Sequence, residues 1–130
     1  MDQTFAEKIL RIKNGGRKAE AGTIVEVEPV VVLCAVNTFA QSILKFYEIG
    51  ARKVWNPNKL VVVIDHFVPA ESSLTANNDK IIREFVKEQG IRYFYDIHEG
   101  IGHQILLEKC HARPGILIVG KTRILPRAAL

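Results

Sequence analysis

The sequence lacks a long apolar run, a cysteine framework and a block of like charge. No stretch approaches the roughly 18 apolar residues that a membrane-spanning helix needs, so we expect a cytoplasmic protein with no membrane partner. Its two cysteines, Cys34 and Cys110, form no spaced pair, which predicts two reduced thiols and no metal site. The 18 lysines and arginines exceed the 14 aspartates and glutamates, but aromatic residues do not interleave with the basic ones. Because a nucleic-acid groove requires that interleaving, we expect no nucleic-acid partner.

The sequence does contain enough apolar residues for one core. Its 130 residues are 48% apolar, which suits one domain and is too little for two. The continuous apolar runs at 30–36 and 59–65 predict strands buried on both faces, and the alternating segment 23–29 leads into the first of them as extended chain. The segments 91–97 and 115–120 predict two further strands.

Helix patterns alternate with these strands. The first helix starts at Thr4, which has capping-box spacing to Glu7, and ends at the glycine pair 15–16. This alternation predicts an α/β fold with three layers, in which a mostly parallel sheet is flanked by helices. The second helix is predicted to start at Asn37 or Thr38. The third helix is predicted to start at Asn77 or Asn78 and to end at Gly90.

The segment HEGIGHQ, residues 98–104, invites comparison with the zinc motif His-Glu-x-x-His. In that motif the two imidazoles are four residues apart on one helix face. Here His98 and His103 are five apart, which is about 140° around a helix. Gly100 and Gly102 also disfavour a helix, so we interpret the segment as a glycine-rich loop that carries His103 and Gln104 rather than as a zinc site.

Polar side chains follow the predicted strands where an α/β sheet binds ligands. Such sheets bind at the carboxyl ends of their strands. Asp65 and His66 follow the second buried run, and His103 lies in the loop after segment 91–97. A carboxylate beside an imidazole is either a structural cap or a proton-handling pair, and the spacing alone leaves both readings open.

Several motifs together resemble one family. They are TFAEKIL, KVWNPNKLVVVIDH, DHFVPA, KIIREFVKEQGIRYFYDI, GIGHQILLEK and HARPGILIVG. Over residues 2–120 the sequence resembles the amino-terminal part of the large subunit of 3-isopropylmalate dehydratase and of its aconitase and homoaconitase relatives. We therefore take 1–120 as an aconitase-like domain and 121–130 as a divergent tail. The loop GIGHQ resembles the family's Gly-Ile-Cys-His-Gln, with Gly102 in place of the cysteine.

The resemblance implies a chemistry and a set of site residues. The family's enzymes are hydro-lyases that isomerise a small hydroxy di- or tricarboxylic acid, one of them in leucine biosynthesis, with a [4Fe-4S] cluster as Lewis acid. It implies that Asp65 and His66 act at the leaving hydroxyl and that His103 holds the hydrogen bonds of the site. It also implies substrate-binding roles for Gln104 and Thr38.

The departures from the family pattern are as informative as the matches. Ala35 and Val36 stand where the family's strand usually ends in His-Asp, and neither Cys34 nor Cys110 matches a cluster ligand. We therefore expect no cofactor in this chain and interpret it as a truncated large subunit that is inactive alone. The alternative is a binding module that docks the dehydratase small subunit, self-associates or holds a carboxylate metabolite.

The tail 121–130 has a separate explanation. A plausible family continuation at this point is Glu-Asp-Ser-His-Thr-Ala-Thr-Gly-Ser-Leu. Suitable codons for that segment, after loss of the first base, translate as Lys-Thr-Arg-Ile-Leu-Pro-Arg-Ala-Ala-Leu. This is the sequence of the tail. A frameshift therefore predicts a tail that forms no part of a site and is disordered or packed opportunistically. The other reading is a divergent basic terminus.

Overall fold

The computed structural model describes residues 3–120, apart from the side chain of Asn37. The elements, in chain order, are α1 (Phe5–Lys13), β1 (Val31–Ala35), α2 (Val36–Glu48), a 3-10 turn (Pro57–Lys59), β2 (Leu60–Val63), α3 (Ser73–Gln89), β3 (Tyr93–Tyr95), α4 (Gly102–Glu108) and β4 (Ile118–Gly120). The tail 121–130, with the predictions made for it, lies outside the described residues.

The four strands form one parallel sheet in the order β3-β2-β1-β4. The chain runs from β1 through β2 to β3 along one direction and then crosses back to place β4 beside β1. The strand order therefore reverses between β1 and β4, as in doubly wound α/β sheets. The predicted α/β class and parallel sheet are confirmed.

One face of the sheet packs against α2 and α3. Val62 and Ile64 of this face are at most 1% exposed, and they lie in one cluster with Ile43 of α2 and Ile82 of α3. Burial of one such side chain stabilises the fold by about 1.5–3 kcal/mol. Phe85 of α3 packs against α2, because its ring lies edge to face with three aromatic rings of that helix. The distances between ring centroids are 5.4 to 6.0 Å.

The other face of the sheet packs against α4. Leu33, Val61 and Val63 of this face form a second cluster with Ile105 and Leu106 of α4. Apolar residues alternate between the two faces along each strand, and both faces are covered, which explains the uninterrupted apolar runs in the sequence. The three predicted layers are therefore present.

The helix ends show which sequence signals were reliable. Thr4 and Glu7 form the predicted capping box, and Gly90 ends α3 in the left-handed conformation with a φ of 65°. The predicted start of α3 at Asn77 or Asn78 is wrong, because Ser72 caps the helix through the backbone N–H of Thr75. The predicted cap of α2 at Asn37 or Thr38 is also wrong, since α2 begins at Val36 directly after β1.

The alternating segment 23–29 does not pair as a strand with any described residue. The alternation still separates two faces, because Ile24, Glu26 and Glu28 are exposed whereas Val25 and Val27 are partly buried. The next residue, Val30, donates its backbone N–H to the carbonyl of Leu117 at 2.9 Å, just before β1 begins.

Across residues 3–120, no helix combines the length and the apolarity that crossing a bilayer demands.

Candidate functional site

Asp65 and His66 form a hydrogen-bonded pair just beyond the end of β2. The Nδ1 atom of His66 lies 2.6 Å from Oδ1 of Asp65. The side chain of Asp65 is 3% exposed, whereas that of His66 is 48% exposed. A carboxylate at Nδ1 fixes the ring orientation and leaves Nε2 as the nitrogen that can meet a ligand.

The second oxygen of Asp65 holds the start of α4. The backbone N–H of Gly102 donates to Oδ2 of Asp65 at 2.8 Å, which satisfies one of the free N–H groups at the helix start. The prediction that His103 and Gln104 lie in a loop is therefore wrong, because both residues belong to the first turn of α4. The low helix propensity of glycine is offset here by this contact with a charged acceptor and by the burial of Ile105 and Leu106.

Gly102 sits where a side chain would crowd Asp65. A Cβ atom at this position would lie 3.0 Å from Oδ2 of Asp65 and 3.7 Å from Cβ of Val63. The carboxylate has little freedom to retreat, because it is buried and both of its oxygens already accept hydrogen bonds. The glycine therefore permits the close approach of α4 to the end of β2.

His103 carries a buried nitrogen without a partner. Its Nε2 atom is inaccessible to solvent and makes no hydrogen bond with any described residue. A buried polar atom in this state costs free energy, so the position is one where a ligand or water atom would be stabilising. His103 follows Gly102 directly, which places its backbone next to Asp65.

The hydrogen bonds described for Asp65 and His66 do not involve the two predicted substrate-binding residues. Gln104 donates its side-chain amide to Oε1 of Glu108 at 2.7 Å on the exposed surface of α4. Thr38 lies in the first turn of α2 and lines an apolar cavity beside β4. Only Asp65, His66 and the start of α4 are therefore joined by the contacts described above.

An ion pair holds the segment between β3 and α4. Arg83 of α3 donates two hydrogen bonds to Asp96, at 2.8 and 2.7 Å, and the Ile97 N–H also reaches Asp96 at 2.8 Å. The hydrogen bond from Arg83 is the main reason why the pKa of Asp96 is lowered. This segment leads to Gly102, so the pair fixes the chain that enters the candidate site.

Sequence reasoning missed Asp79, an ionisable residue inside the fold. Asp79 is 2% exposed, and its Oδ1 atom has no hydrogen-bond partner among the described residues. Burial raises the pKa of its carboxyl, an effect that the nearby Arg83 opposes and Asp96 reinforces. A signal was present, because Asp79 precedes the inward-facing Ile82 and Val86 by three and seven residues.

A second missed pair lies on the α4 side of the sheet. The hydroxyl of Tyr95 and Nε2 of His111 are 2.6 Å apart, and the Tyr93 ring packs against the imidazole. Burial raises the pKa of Tyr95 and lowers that of His111, so both groups are neutral near pH 7. Nothing in the spacing of these residues indicated their contact, which depends on how α4 crosses the sheet.

Comparison with known proteins identifies relatives of the chain. It is 49% identical over 120 residues to the 3-isopropylmalate dehydratase large subunit 1 of Methanopyrus kandleri, a match that covers 92% of the chain and 28% of that protein. It is 47% identical over 120 residues to the probable large subunit of Methanothermobacter thermautotrophicus, with 92% and 29% covered. No protein-family model matches the chain. The chain is homologous to the amino-terminal part of 3-isopropylmalate dehydratase large subunits.

The chain spans less than a third of the length of these curated large subunits. The sequence match includes both the Asp65–His66 pair and the start of α4, because it extends over 92% of the chain. The names of the relatives describe a dehydratase subunit.

The residues of the chain described here do not fit the iron–sulfur cluster that the resemblance implies. Such a cluster requires several thiolates around one site. Cys34 is buried between the sheet and the helices α2 and α3, whereas Cys110 is exposed and lies two residues after the end of α4, which covers the opposite face of the sheet. Burial also raises the pKa of Cys34 to about 12, which disfavours the thiolate.

In this chain, apolar residues occupy the point where the strand order reverses, which is where sheets of this type bind ligands. β1 ends at Ala35, β4 ends at Gly120, and Val36 begins α2. Ala35 and Val36 are 9% and 2% exposed, so they belong to the core. The two departures from the family pattern, Ala35 and Val36, therefore lie at the carboxyl end of β1. Asp65 and His66 lie at the carboxyl end of the neighbouring strand β2.

Proposed function

We propose that the chain carries the acid–base part of a hydro-lyase site of the 3-isopropylmalate dehydratase type and does not turn over substrate alone. In this proposal His66 transfers the proton and Asp65 positions His66. The observation that carries it is the commitment of both Asp65 oxygens, one to His66 and one to Gly102. An aspartate held in this way orients the imidazole and is not itself free to exchange a proton with a ligand.

The proposed step is a proton transfer at the departing hydroxyl. The protonated ring of His66 gives its Nε2 proton to the hydroxyl of a hydroxy acid, and that hydroxyl leaves as water when the C–O bond breaks. The electrons of the neighbouring C–H bond form the double bond, and its proton goes to a base outside the described residues; hydration reverses both proton transfers. Asp65 accepts the hydrogen bond from Nδ1 throughout and stabilises the charged ring. No described residue is assigned as the base for the carbon-bound proton, which is one reason to expect no turnover by the chain alone.

The two thiols give the other reason. The hydro-lyases that the chain resembles use a cluster as Lewis acid, and Cys34 and Cys110 lie on opposite sides of the sheet. We therefore assign to the described residues only positioning and proton transfer. The purified chain should give no dehydration of 3-isopropylmalate when product formation is followed by NMR.

A chimera tests the role of His66. In the Methanopyrus kandleri large subunit 1, the matched stretch is replaced by this chain, and dehydration is measured with the other components of that enzyme. We expect His66→Asn to lower the rate of the chimera by at least about a hundredfold, the size of a typical general acid–base contribution. His98→Asn is the matched control, because His98 is exposed and asparagine tolerates its positive φ of 75°. Equal rates for the two variants, or turnover by the isolated chain, would contradict the proposal.

A second candidate function is the binding of a small carboxylate without chemistry. The observation that favours it is the buried, unpartnered Nε2 of His103 beside the start of α4. In that case 3-isopropylmalate should shift the imidazole signals of both His66 and His103 in NMR spectra of the isolated chain, with His98 unchanged. If no imidazole signal moves at millimolar ligand, this candidate is wrong.

A further inference from the structure

Two aspartates follow neighbouring strands at the same level of the sheet. Val63 of β2 is paired with Tyr95 of β3, and the backbone N–H of Ile64 donates to the carbonyl of Tyr95 at 2.9 Å. The next residues along the two segments are Asp65 and Asp96. The last backbone contact between these strands therefore places the candidate site beside the segment that leads from β3 to α4.

The two carboxylates are held by helices of opposite layers. Asp65 accepts the N–H of Gly102 at the start of α4, whereas Asp96 accepts two hydrogen bonds from Arg83 of α3. The side chains of Arg83 and Asp96 are 39% and 40% exposed, which weakens an ordinary ion pair. The two parallel hydrogen bonds give this pair a fixed geometry that a single contact would not have.

Asp96 organises the segment that it begins. We call residues 96–101 the entry turn, because they lead into α4. Oδ1 of Asp96 accepts the N–H of Ile97 at 2.8 Å, and its carbonyl accepts the N–H of Glu99 at 3.2 Å. The residue that binds Arg83 therefore also sets the course of the backbone after β3.

The entry turn passes from one face of the sheet to the other. Ile97 packs with the cluster under α2 and α3, whereas Gly102 lies against Val63 of the cluster under α4. Gly100 has a φ of 132°, and a Cβ atom there would be in ordinary contact with Ile105 at 3.5 Å. Because the entry turn is short and is held at both ends, a shift of its first residue displaces the start of α4.

These contacts form a path from α3 to the candidate site. We propose that Arg83 is a positioning residue of the Asp65–His66 pair. By holding Asp96 it fixes the entry turn, and the entry turn presents the N–H of Gly102 to Asp65. This inference rests on the proposed function and deepens it, because the pair that is positioned is the one to which proton transfer is assigned.

Hydrogen exchange of the Gly102 amide tests the positioning. In NMR spectra of the isolated chain, Arg83→Met should raise the exchange rate of this amide by about fivefold or more, because members of one hydrogen-bonded network are energetically coupled. Lys80→Met is the matched control, since Lys80 pairs with Glu84 within α3 at 3.9 Å, and it should leave the rate unchanged.

Two references establish what the exchange rate reports. Asp65→Ala removes the acceptor of the Gly102 N–H, so it should raise the rate at least as much as Arg83→Met does. The slowest amides of β2 exchange when the whole chain unfolds. The increase at Gly102 should therefore exceed any increase at these amides, which separates positioning from a general loss of stability.

Asp96 tests the route. Asp96→Ala also removes the acceptor of the Ile97 N–H, so it should raise the Gly102 rate at least as much as Arg83→Met does. Adding Arg83→Met to Asp96→Ala should give no further increase. Arg83→Lys keeps the charge without the paired hydrogen bonds and should give a smaller increase. It replaces Arg83→Met if thermal unfolding shows that the latter is not folded.

Three results would overturn the inference. These are a Gly102 rate that Arg83→Met leaves unchanged, an increase no larger than that in Lys80→Met or at the β2 amides, and effects of Arg83→Met and Asp96→Ala that multiply. None of these measurements needs turnover. Equal rates of the His66→Asn and His98→Asn chimeras would contradict the proposed function and would leave the positioning of the pair standing.

Discussion

The backbone N–H of Gly102 donates to the carboxylate of Asp65 at 2.8 Å, across 37 residues of sequence. This contact joins the start of α4 to the end of β2 and, through the other carboxylate oxygen, to His66. It makes the orientation of His66 depend on the position of a helix that follows a different strand. The site is therefore a tertiary arrangement, although Asp65 and His66 are neighbours in sequence.

The first prediction concerns Gly102→Ala. The added Cβ would meet Oδ2 of Asp65 at 3.0 Å, and the buried carboxylate cannot move without loss of a hydrogen bond. We expect a decrease of about 1 kcal/mol in the free energy of unfolding, because overpacking outweighs the better helix propensity of alanine. Urea denaturation measures it. In an Asp65→Ser background the same change should be neutral or stabilising, and an equal loss in both backgrounds would rule out the steric explanation.

The second prediction concerns the pH dependence set by Asp79. Its folded-state pKa is raised, so its contribution to stability is full below the unfolded pKa of about 3.9 and is lost as the pH rises through the folded pKa. Asp79→Asn imitates the protonated form at every pH. We expect this variant to gain stability relative to the unchanged chain between pH 4 and pH 7, as measured by urea denaturation at each pH.

Asp96→Asn is the opposing control for Asp79→Asn. The pKa of Asp96 is lowered, chiefly by Arg83, so its contribution is present above about pH 3.9 and is lost as the pH falls through the folded pKa. Its replacement should destabilise the chain at pH 7 and have less effect at pH 3. If the two variants show the same pH dependence, the opposite directions given for the pKa values of Asp79 and Asp96 are wrong.

The third prediction concerns the two thiols. Cys110 is exposed, whereas Cys34 is buried and its pKa is raised to about 12 by that burial. A thiol reagent at pH 8 should therefore modify one cysteine of the folded chain quickly and the other only on unfolding. Cys110→Ser should abolish the fast reaction, and two fast equivalents in the unchanged chain would contradict the described position of Cys34.

The fourth prediction concerns the iron–sulfur cluster. Because Cys34 and Cys110 lie on opposite sides of the sheet, anaerobic reconstitution with iron and sulfide should leave the isolated chain without a stoichiometric cluster. Iron and acid-labile sulfide analysis measures this directly. One [4Fe-4S] cluster per chain would show that the thiol arrangement described here is wrong.

Features with a local cause could be predicted from the sequence. The capping box at Thr4 and Glu7 and the left-handed Gly90 depend on residues within one or two turns, and both predictions are confirmed. The buried strands were equally accessible, because a parallel sheet covered on both faces leaves continuous apolar runs. The position of Asp65 and His66 beyond β2 follows from the same pattern.

Features that depend on distant partners could not be predicted. The segment 23–29 alternates like a strand but has no strand beside it among the described residues. The start of α4 at Gly102 depends on Asp65. The spacing of Asp79 to Ile82 and Val86 indicates the inward face of α3, but the charge of Asp96 beside it depends on tertiary packing. Local propensity points away from both outcomes, since glycine disfavours helices and aspartate disfavours cores.

The tautomer of His66 tests the central claim most directly. If Asp65 positions His66 for proton transfer, imidazole nitrogen NMR of the neutral ring should show the proton on Nδ1 and none on Nε2, the nitrogen left for a ligand. Asp65→Asn should abolish that preference, and the exposed His98 should show the ordinary excess of the Nε2–H form in both variants. A neutral His66 that carries its proton on Nε2, or a tautomer that Asp65→Asn leaves unchanged, would contradict the account.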